Sequence, residues 1–406
     1  MSTDFERNKM ENLELNKLAQ KLEIYTTIDY IGKGFPIILP NGAKIIRTIR
    51  NYVEDEEERN RFLVVRTPSA SRAEIYSIED RLQLIKNNIF TIKSNNENEQ
   101  EKNTIVLKPY SQPFHCSIYA TKQHTYKEMP VKYCETSTVF RNERDPNGIV
   151  KSRQFTLSDA SVFSDKEYFD RDLKNLIIMQ KDIFDRLGLD VSYELQNWKY
   201  EEKENYIGQI EEWREIIDIM KYTLNDLKIK YTENKKARLY GPSISIKYNE
   251  RELSNIQVDF EIVHRFDLKF INKNNEEEFP LYTHVNTVGS YENIVMILLE
   301  KYEGDFPLWI APTQVEIIPE GEEFEDYAKS VRRTLFENSI RVNVDNASSN
   351  FQNKLYRAVD LKVPYIITIG KKEYQNKNIQ VRKGDSTNSM NLEDFIKEVK
   401  NCLTKS

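Results

Sequence analysis

Apolar positions along the chain fall into two kinds of run. Leu13, Leu15, Leu18, Leu22 and Ile24 recur at near-helical spacing and predict an amphipathic helix over residues 11–25. Longer mixed segments with the same periodicity predict helices over 43–58, 165–187, 200–227 and 294–302. Ser164 and Asp165 would cap the 165–187 helix and Gly188 would end it. Shorter runs rich in β-branched and aromatic residues predict strands over 35–39, 62–67, 104–109, 131–141, 153–163, 237–244 and 256–261. Pro68 stops the second of these, and Pro40-Asn41-Gly42 reads as a turn after the first. Residues 94–103 are uniformly polar and read as a loop. From Trp309 onward strand and helix patterns alternate: strands 314–318, 341–344 and 365–369, and helices 323–338, 351–361 and 392–403. That order predicts a small α/β domain. A domain boundary is expected near residues 304–312, dividing the chain into 1–306 and 307–406.

The stretch from 131 to 163 is the most informative. Two strand patterns flank Asp145-Pro146-Asn147-Gly148, which supplies turn chemistry, so the whole reads as a long β-hairpin. Arg141 and Arg153 can fork onto phosphate or carboxylate oxygens, and Phe155 offers a face for a base. The carboxylate of Glu143 can accept from an exocyclic amine. Together they suit a nucleotide lying across an antiparallel sheet. A solvated hairpin with surface ion pairs is the alternative that composition alone allows.

Composition adds bounds. With 406 residues there is room for two or three domains, and 39% hydrophobic with 31% charged residues describes a globular chain. No apolar run is long enough for a membrane span and the N-terminus is charged, so neither a signal peptide nor a membrane location is expected. Cys116, Cys134 and Cys402 lack CxxC spacing and fit reduced thiols, hence a cytoplasmic protein. The net charge of −6 gives no global attraction to nucleic acid, so any RNA contact needs a local basic patch.

Phe140-Arg141-Asn142-Glu143, the turn, then Arg153-Gln154-Phe155-Thr156 and Asp159-Ala160 resemble motif 2 of the class II aminoacyl-tRNA synthetases, in the threonyl-tRNA synthetase branch. The order GKGF, LPNGA, helix, VVRTP resembles motif 1, the family's dimer interface. Tyr240-Gly241-Pro242 and Gln257 to Leu268 resemble the same branch, and Val288-Gly289-Ser290 with the helix after it resembles motif 3. The resemblance implies an α+β class II catalytic domain, an antiparallel sheet flanked by helices, followed by an anticodon-binding-like α/β domain. It also implies ATP and Mg²⁺ as cofactors, an amino-acid-like substrate, tRNA or another acceptor, and a homodimer. The family's editing region is not expected ahead of motif 1. By position, the resemblance assigns Arg141 to the α-phosphate, Glu143 to the adenine amino group and Phe155 to the adenine ring. Arg153 and Gln257 complete the ATP site.

Departures from the family are as informative. Where threonyl-tRNA synthetases read LKPMNCPGH, this chain has Gln112 in place of the zinc-binding cysteine, with His115 matching the last histidine. The remaining zinc positions hold Ser161 and His284. An amide and a hydroxyl are poor zinc ligands, so zinc is expected to be absent and substrate choice altered. Gln112, Asp159, Tyr240, Ser161 and His284 are the expected substrate-binding residues, with Asp159 and Tyr240 on the α-amino group. Leu157 and Ser243 replace a family glutamine and lysine, and Ala347 to Asn350 replace the family's RNEK. Asn293 stands where motif 3 carries its γ-phosphate arginine. Losing one such charge costs on the order of 10²–10³ in rate. Three readings follow: an adenylating ligase with changed specificity, a non-catalytic paralogue that binds or regulates, and a threonyl-tRNA synthetase with an unusual site.

Overall fold

Alternating inward and outward side chains build the central element of the computed structural model, which describes residues 13–78, 81–92 and 104–405. It is an eight-stranded sheet: β1 (Leu63–Val64), β2 (Val131–Phe140), β3 (Gln154–Ser164), β4 (Ser192–Gln196), β5 (Tyr231–Asn234), β6 (Ser243–Tyr248), β7 (Arg251–Asp259) and β8 (Leu281–Ser290). Their order is β5-β4-β6-β7-β8-β3-β2-β1. All neighbours are antiparallel except β4 with β5 and β1 with β2. The sheet belongs to a unit of residues 50–294.

The hairpin expected over 131–163 is β2 and β3, paired without interruption from Val131 opposite Phe163 to Phe140 opposite Gln154. The period of two then sorts the side chains. Tyr133, Glu135, Phe155, Asp159, Ser161 and Phe163 share the front face. Lys132, Thr136 and Ser158 lie behind. Across the front, Gln257, His284, Ser161 and Tyr133 form one continuous row of opposed residues.

Helices cover both faces. On the front, α2 (Gln112–Tyr119) packs Cys116 and Tyr119 against Val131, Tyr133, Phe163 and Tyr282. Its Tyr119 ring stacks on Phe163 with centroids 4.3 Å apart. Behind the sheet, α3 (Phe169–Arg186) is tied down by Gln180, whose amide donates to Ser254 Oγ at 2.6 Å and to the Asn286 and Thr287 carbonyls at 3.2 Å. The acidic end of α1 (Pro40–Arg59) also lies behind. Its buried Glu57 accepts hydrogen bonds from Ser158 Oγ at 3.2 Å and from Thr287 Oγ1.

Residues up to 49 and from 295 on form a second unit. Its five-stranded sheet comprises β9 (Val315–Pro319), β10 (Val342–Val344), β11 (Tyr365–Ile369), β12 (Ile379–Lys383) and β13 (Ser386–Met390), in the order β10-β9-β11-β12-β13. The first three are parallel and the last two antiparallel to their neighbours. Val315, Ile317, Leu335, Ile367, Phe395 and Val399 form its core.

Several boundaries differ from expectation. The first helix runs over 13–21 and gives way to a strand at Tyr25–Thr26, while positions 11 and 12 and the loop 94–103 lie outside the described residues. The turn expected at Pro40 is instead the first turn of α1, where proline's fixed φ suits a helix start. The helix expected over 200–227 breaks into a 3₁₀ segment, Tyr200–Asn205, and α4 (Ile210–Asp226), with Gly208 at φ +93° between them. The strand expected from 237 begins only at Ser243. Before it, a Cβ on Gly241 would overlap the Val258 carbonyl, so the chain turns there on glycine. A short helix, Lys371–Asn376, and the β12–β13 hairpin were not expected. β13 is polar and mostly exposed, so it carries no alternation to read.

Burial pushes the Glu57 carboxyl up to about 7 from 4.5, against its hydrogen bonds from Thr287 and Ser158. The native state therefore keeps a proton that the unfolded chain releases in that window, so stability falls as pH rises from 4.5 to about 7. Glu57→Gln is expected to flatten that decline in denaturant titrations run at several pH values. An unchanged slope would contradict the assignment.

Candidate active site

The loop end of the hairpin, residues 141–153, places most of the nucleotide-type residues. Arg141 follows β2, its backbone N donates to the Arg153 carbonyl at 2.9 Å, and its Nε donates to the Pro109 carbonyl at 3.2 Å. The guanidinium lies over the Phe155 ring, 5.1 Å from its centroid. Burial lowers the pKa of Arg141 and the Asp159 carboxylate partly offsets this, so one fixed cation sits beside one aromatic face. Arg153 Nε donates to the Glu143 carbonyl at 3.0 Å, which closes the loop. The Glu143 carboxylate pairs with Lys151 at 3.2 Å. Partial burial raises its pKa, but the hydrogen bond and charge of Lys151 together with the Asp145 and Arg144 backbone donors outweigh that, and the net shift is downward. Arg141, Arg153, Glu143 and Phe155 thus come together as the sequence implies.

The front face of the sheet supplies the second cluster. Asp159, fully buried, meets His284 Nε2 at 2.6 Å through Oδ1 and accepts from Ser111 N at 2.9 Å through Oδ2. Burial alone would raise its pKa, but the adjacent imidazole holds the carboxyl down at about 2. Ser161, directly opposite His284, has its hydroxyl 2.9 Å from His115 Nδ1 and 2.8 Å from Tyr282 OH. Beside these, on the same face, sits a buried ion pair, Lys108 Nζ to Glu135 at 3.3 Å, with Thr67 Oγ1 donating to Glu135 at 2.7 Å. Gln257 donates its amide to the Gly241 and Val258 carbonyls at 3.0 and 3.1 Å. Its buried Oε1 has no hydrogen-bond partner among the described residues, an orphan acceptor that a ligand's N–H or O–H would satisfy.

A residue that the sequence pattern did not single out joins this cluster. Arg81 lies flat on Tyr240, with 3.7 Å from guanidinium carbon to ring centroid. It pairs with buried Asp259 and donates to Gln112 Oε1 at 3.3 Å. Arg81 precedes a four-residue helix, Leu82–Ile85, too short to show periodicity, so nothing in the local pattern marked it. At the start of α5 (Tyr291–Tyr302), Glu292 accepts from Thr156 N at 3.0 and 2.9 Å and ties that helix to β3. Asn293, next to it, brings no charge, and its backbone N donates to Ser290 Oγ at 3.1 Å.

The donor set at Gln112, Ser161 and His284 does not fit a zinc ion. Each polar group already has a protein partner: Arg81 for the amide, His115 and Tyr282 for the hydroxyl, Asp159 for the imidazole. Only one of the three is a good zinc donor. Among the described residues, no group of three or more histidine, cysteine or carboxylate side chains is placed to hold a metal ion.

Comparison with known proteins adds the following. The family profile described as tRNA synthetase class II core domain (G, H, P, S and T) matches residues 90–302, and that described as anticodon binding domain matches 314–402. The threonine–tRNA ligase of Clostridium botulinum strain Eklund 17B is 33% identical over 95% of this chain and 61% of its own length. That of Clostridium perfringens strain SM101 is 34% identical over the same shares. The chain therefore spans about three-fifths of the curated relatives it matches. Among solved structures, the RNA binding domain of threonyl-tRNA synthetase from Cryptosporidium parvum Iowa II superposes with a TM-score of 0.87 at 23% identity, over 96% of this chain and 98% of that one. The putative threonyl-tRNA synthetase ThrRS-1 from Aeropyrum pernix gives 0.82 at 20%, over 96% of each chain. These two likenesses speak to fold.

Two outcomes are expected. Asp159→Asn keeps the shape but removes the charge facing His284, and should cost about 2–4 kcal/mol near neutral pH. Asp159 has a depressed pKa, so its contribution is present above 3.8 and is lost as pH falls through about 2. The gap between variant and parent in unfolding titrations should therefore close on acidification. Equilibration with zinc followed by gel filtration and elemental analysis should leave the protein with far less than one zinc per chain. A stoichiometric, His284-dependent zinc would contradict the donor argument.

Proposed function

Because the chain belongs to the class II tRNA synthetases of the G, H, P, S and T group, we propose that it is a threonyl-tRNA synthetase-like ligase. It activates an amino acid with ATP to an aminoacyl-adenylate and passes the acyl group to tRNA or another acceptor. A carboxylate oxygen of the amino acid bonds to the α-phosphorus, the bridge to the β-phosphate breaks, and pyrophosphate leaves with that electron pair. ATP supplies the phosphoryl centre and Mg²⁺ screens its charge.

The observation that carries this reading is the hairpin end, where Arg141 is held over Phe155 with Glu143 and Arg153 locked beside them. Arg141 meets the α-phosphate and the charge that grows on it, Phe155 stacks on the adenine, and Glu143 accepts from its amino group. Arg153 holds the loop around Glu143 in place. The orphan oxygen of Gln257 suits a donor on the nucleotide. Asp159 and Tyr240 hold the α-ammonium, and Gln112, Ser161 and His284 line the side-chain pocket. The chain does this without zinc, so its amino acid is selected by hydrogen bonds and shape.

A catalytic domain over 1–306 and an anticodon-binding-like domain over 307–406 are proposed. The profile matches, which end at 302 and resume at 314, support the boundary, while the compact unit that carries the second sheet also takes in residues 1–49 and 295–306. Exposed Leu63 and Val64 on edge strand β1 support a homodimer through the motif 1 region. No helix among the described residues is long and apolar enough to cross a membrane, and the reading places the protein in the cytoplasm. One observation favours a second reading, a non-catalytic paralogue that binds or regulates: Asn293 supplies no cation for the γ-phosphate.

Amino-acid-dependent ATP–pyrophosphate exchange across the standard and common non-standard amino acids tests the proposal. Exchange with one amino acid is expected, reduced on the order of 10²–10³-fold by Arg141→Ala. Silence across the panel from folded protein would favour the paralogue.

A further inference from the structure

In the second unit, one strand position carries a residue that folding alone would not choose. Glu316 on β9 points away from the core formed by Val315 and Ile317, to the sheet face where Ile318 packs with Ala358 and Ile366. It is only 8% exposed. Asn343, opposite it on β10, donates its amide to Oε1 at 2.8 Å. Among the described residues no hydrogen bond reaches Oε2. A carboxyl taken out of water with one oxygen unbonded is costly, and valine or isoleucine would serve the sheet more cheaply.

Glu316 borders a cavity of about 230 Å³ that lies wholly within this unit. Leu22, Ile45, Phe306 and Val363 give it apolar walls, and Lys44 of α1 lines it as well. Leu22, Ile45 and Phe306 are buried, so this stretch of α1 is packed against its own unit and is not a face left for a second chain. The Lys44 ammonium has no hydrogen bond, and no carboxylate within 4.0 Å, among the described residues. The lining's other lysine, Lys362, is paired with Asp305 at 2.9 Å, and its other carboxylate residue, Glu23, is exposed.

Each charged end of the cavity is crowded by its own sign. Burial, then Arg341 and Arg47, lower the pKa of Lys44, with Glu316 opposing them. Burial, then Asp345, push the Glu316 carboxyl up to about 7 from 4.5, against Asn343, Arg357 and Lys44. The nearby arginines are already engaged: Arg341 on the Leu308, Trp309 and Ala311 carbonyls, Arg357 on Asp345. Lys44 and Glu316 thus feel each other's charge across the cavity without meeting. That arrangement is costly for folding and favourable to a ligand that brings the opposite charge to each end. The space is smaller than the roughly 300–1,000 Å³ of drug-sized sites, which limits the ligand to about the size of one amino acid.

We propose that this cavity binds a free α-amino acid with an apolar side chain, at a site distinct from the front-face cluster around Asp159. The ligand's carboxylate meets Lys44, its ammonium meets Glu316 Oε2, and its side chain lies against Leu22, Ile45, Phe306 and Val363. Binding here requires no adenylation.

The test is titration calorimetry of the full chain without ATP. The probes are L-valine, L-leucine, L-methionine and L-phenylalanine, each beside the carboxylic acid that lacks its ammonium and the amine that lacks its carboxylate. Saturable binding of at least one amino acid is expected. Lys44→Met and Glu316→Gln should each weaken it on the order of 10-fold or more, as should removal of either ligand charge. Both variants should hold or raise thermal stability while binding falls, which a merely structural role would not produce. Asp159→Asn, or Tyr240→Phe should that variant not fold, should leave this binding intact, which separates it from the front-face site. Silence in pyrophosphate exchange with this binding retained would count against the proposed reaction alone. The proposal is overturned if no probe binds, if both variants bind as the parent does, or if binding is lost only with the front-face variant. It is also overturned if an amine or a carboxylic acid binds as tightly as its amino acid.

Discussion

The pairing register of β2 and β3 is the constraint on which the rest depends. Because Glu135 lies opposite Asp159, Ser161 comes opposite Tyr133 on one side and His284 on the other, and Gln257 completes the row. Side chains alternate with a period of two, so a slip of β3 by one residue would carry Asp159, Ser161 and Phe155 to the rear face and bring Ser158 forward. Buried aromatics hold the register. Phe163 packs on Tyr119, Tyr133 and Tyr282, and it sits two residues along the same face from Ser161. Burying a side chain of that size is worth about 1.5–3 kcal/mol, which makes it an effective lock.

Buried charge on this face is accommodated by protein partners. Asp159 with His284, Asp259 with Arg81, and Glu135 with Lys108 are three opposite-charge contacts on or beside one face of the sheet. Each carboxylate has an N–H or hydroxyl partner besides its cation or imidazole, or a second backbone donor, as groups taken out of water require. A metal would have to displace these bonds to enter. Hydrogen bonds and ion pairs tie these side chains together, and Arg81 lies flat on Tyr240 beside them.

Much of this was legible in the sequence because the signals were local. The hairpin announced itself through two β-rich runs around Asp145 to Gly148, and Arg141, Glu143, Phe155 and Asp159, which the family spacing singles out, lie on that one element. What was not legible depended on tertiary placement. Gly208 splits a segment whose composition is helical throughout, and β13 is a polar edge strand whose pairing rests on its neighbour β12 rather than on its own pattern. Arg81 stands 178 positions from Asp259 in sequence, and no local period connects them. The Glu57 carboxyl was equally hidden. In an acidic helix end it reads as one more solvated charge, and only packing against Ser158 and Thr287 shows it to be buried.

The proposed function stands on the hairpin end acting as a purine and phosphate grip. Titration calorimetry of ATP with Mg²⁺ against the parent and Phe155→Ala tests it most directly. Saturable one-to-one binding is expected in the parent and a loss on the order of 10-fold or more in the variant, since stacking of a base on an aromatic ring is worth about 1–3 kcal/mol. Absence of binding by folded parent protein at millimolar ATP, or equal affinity in the two proteins, would contradict it.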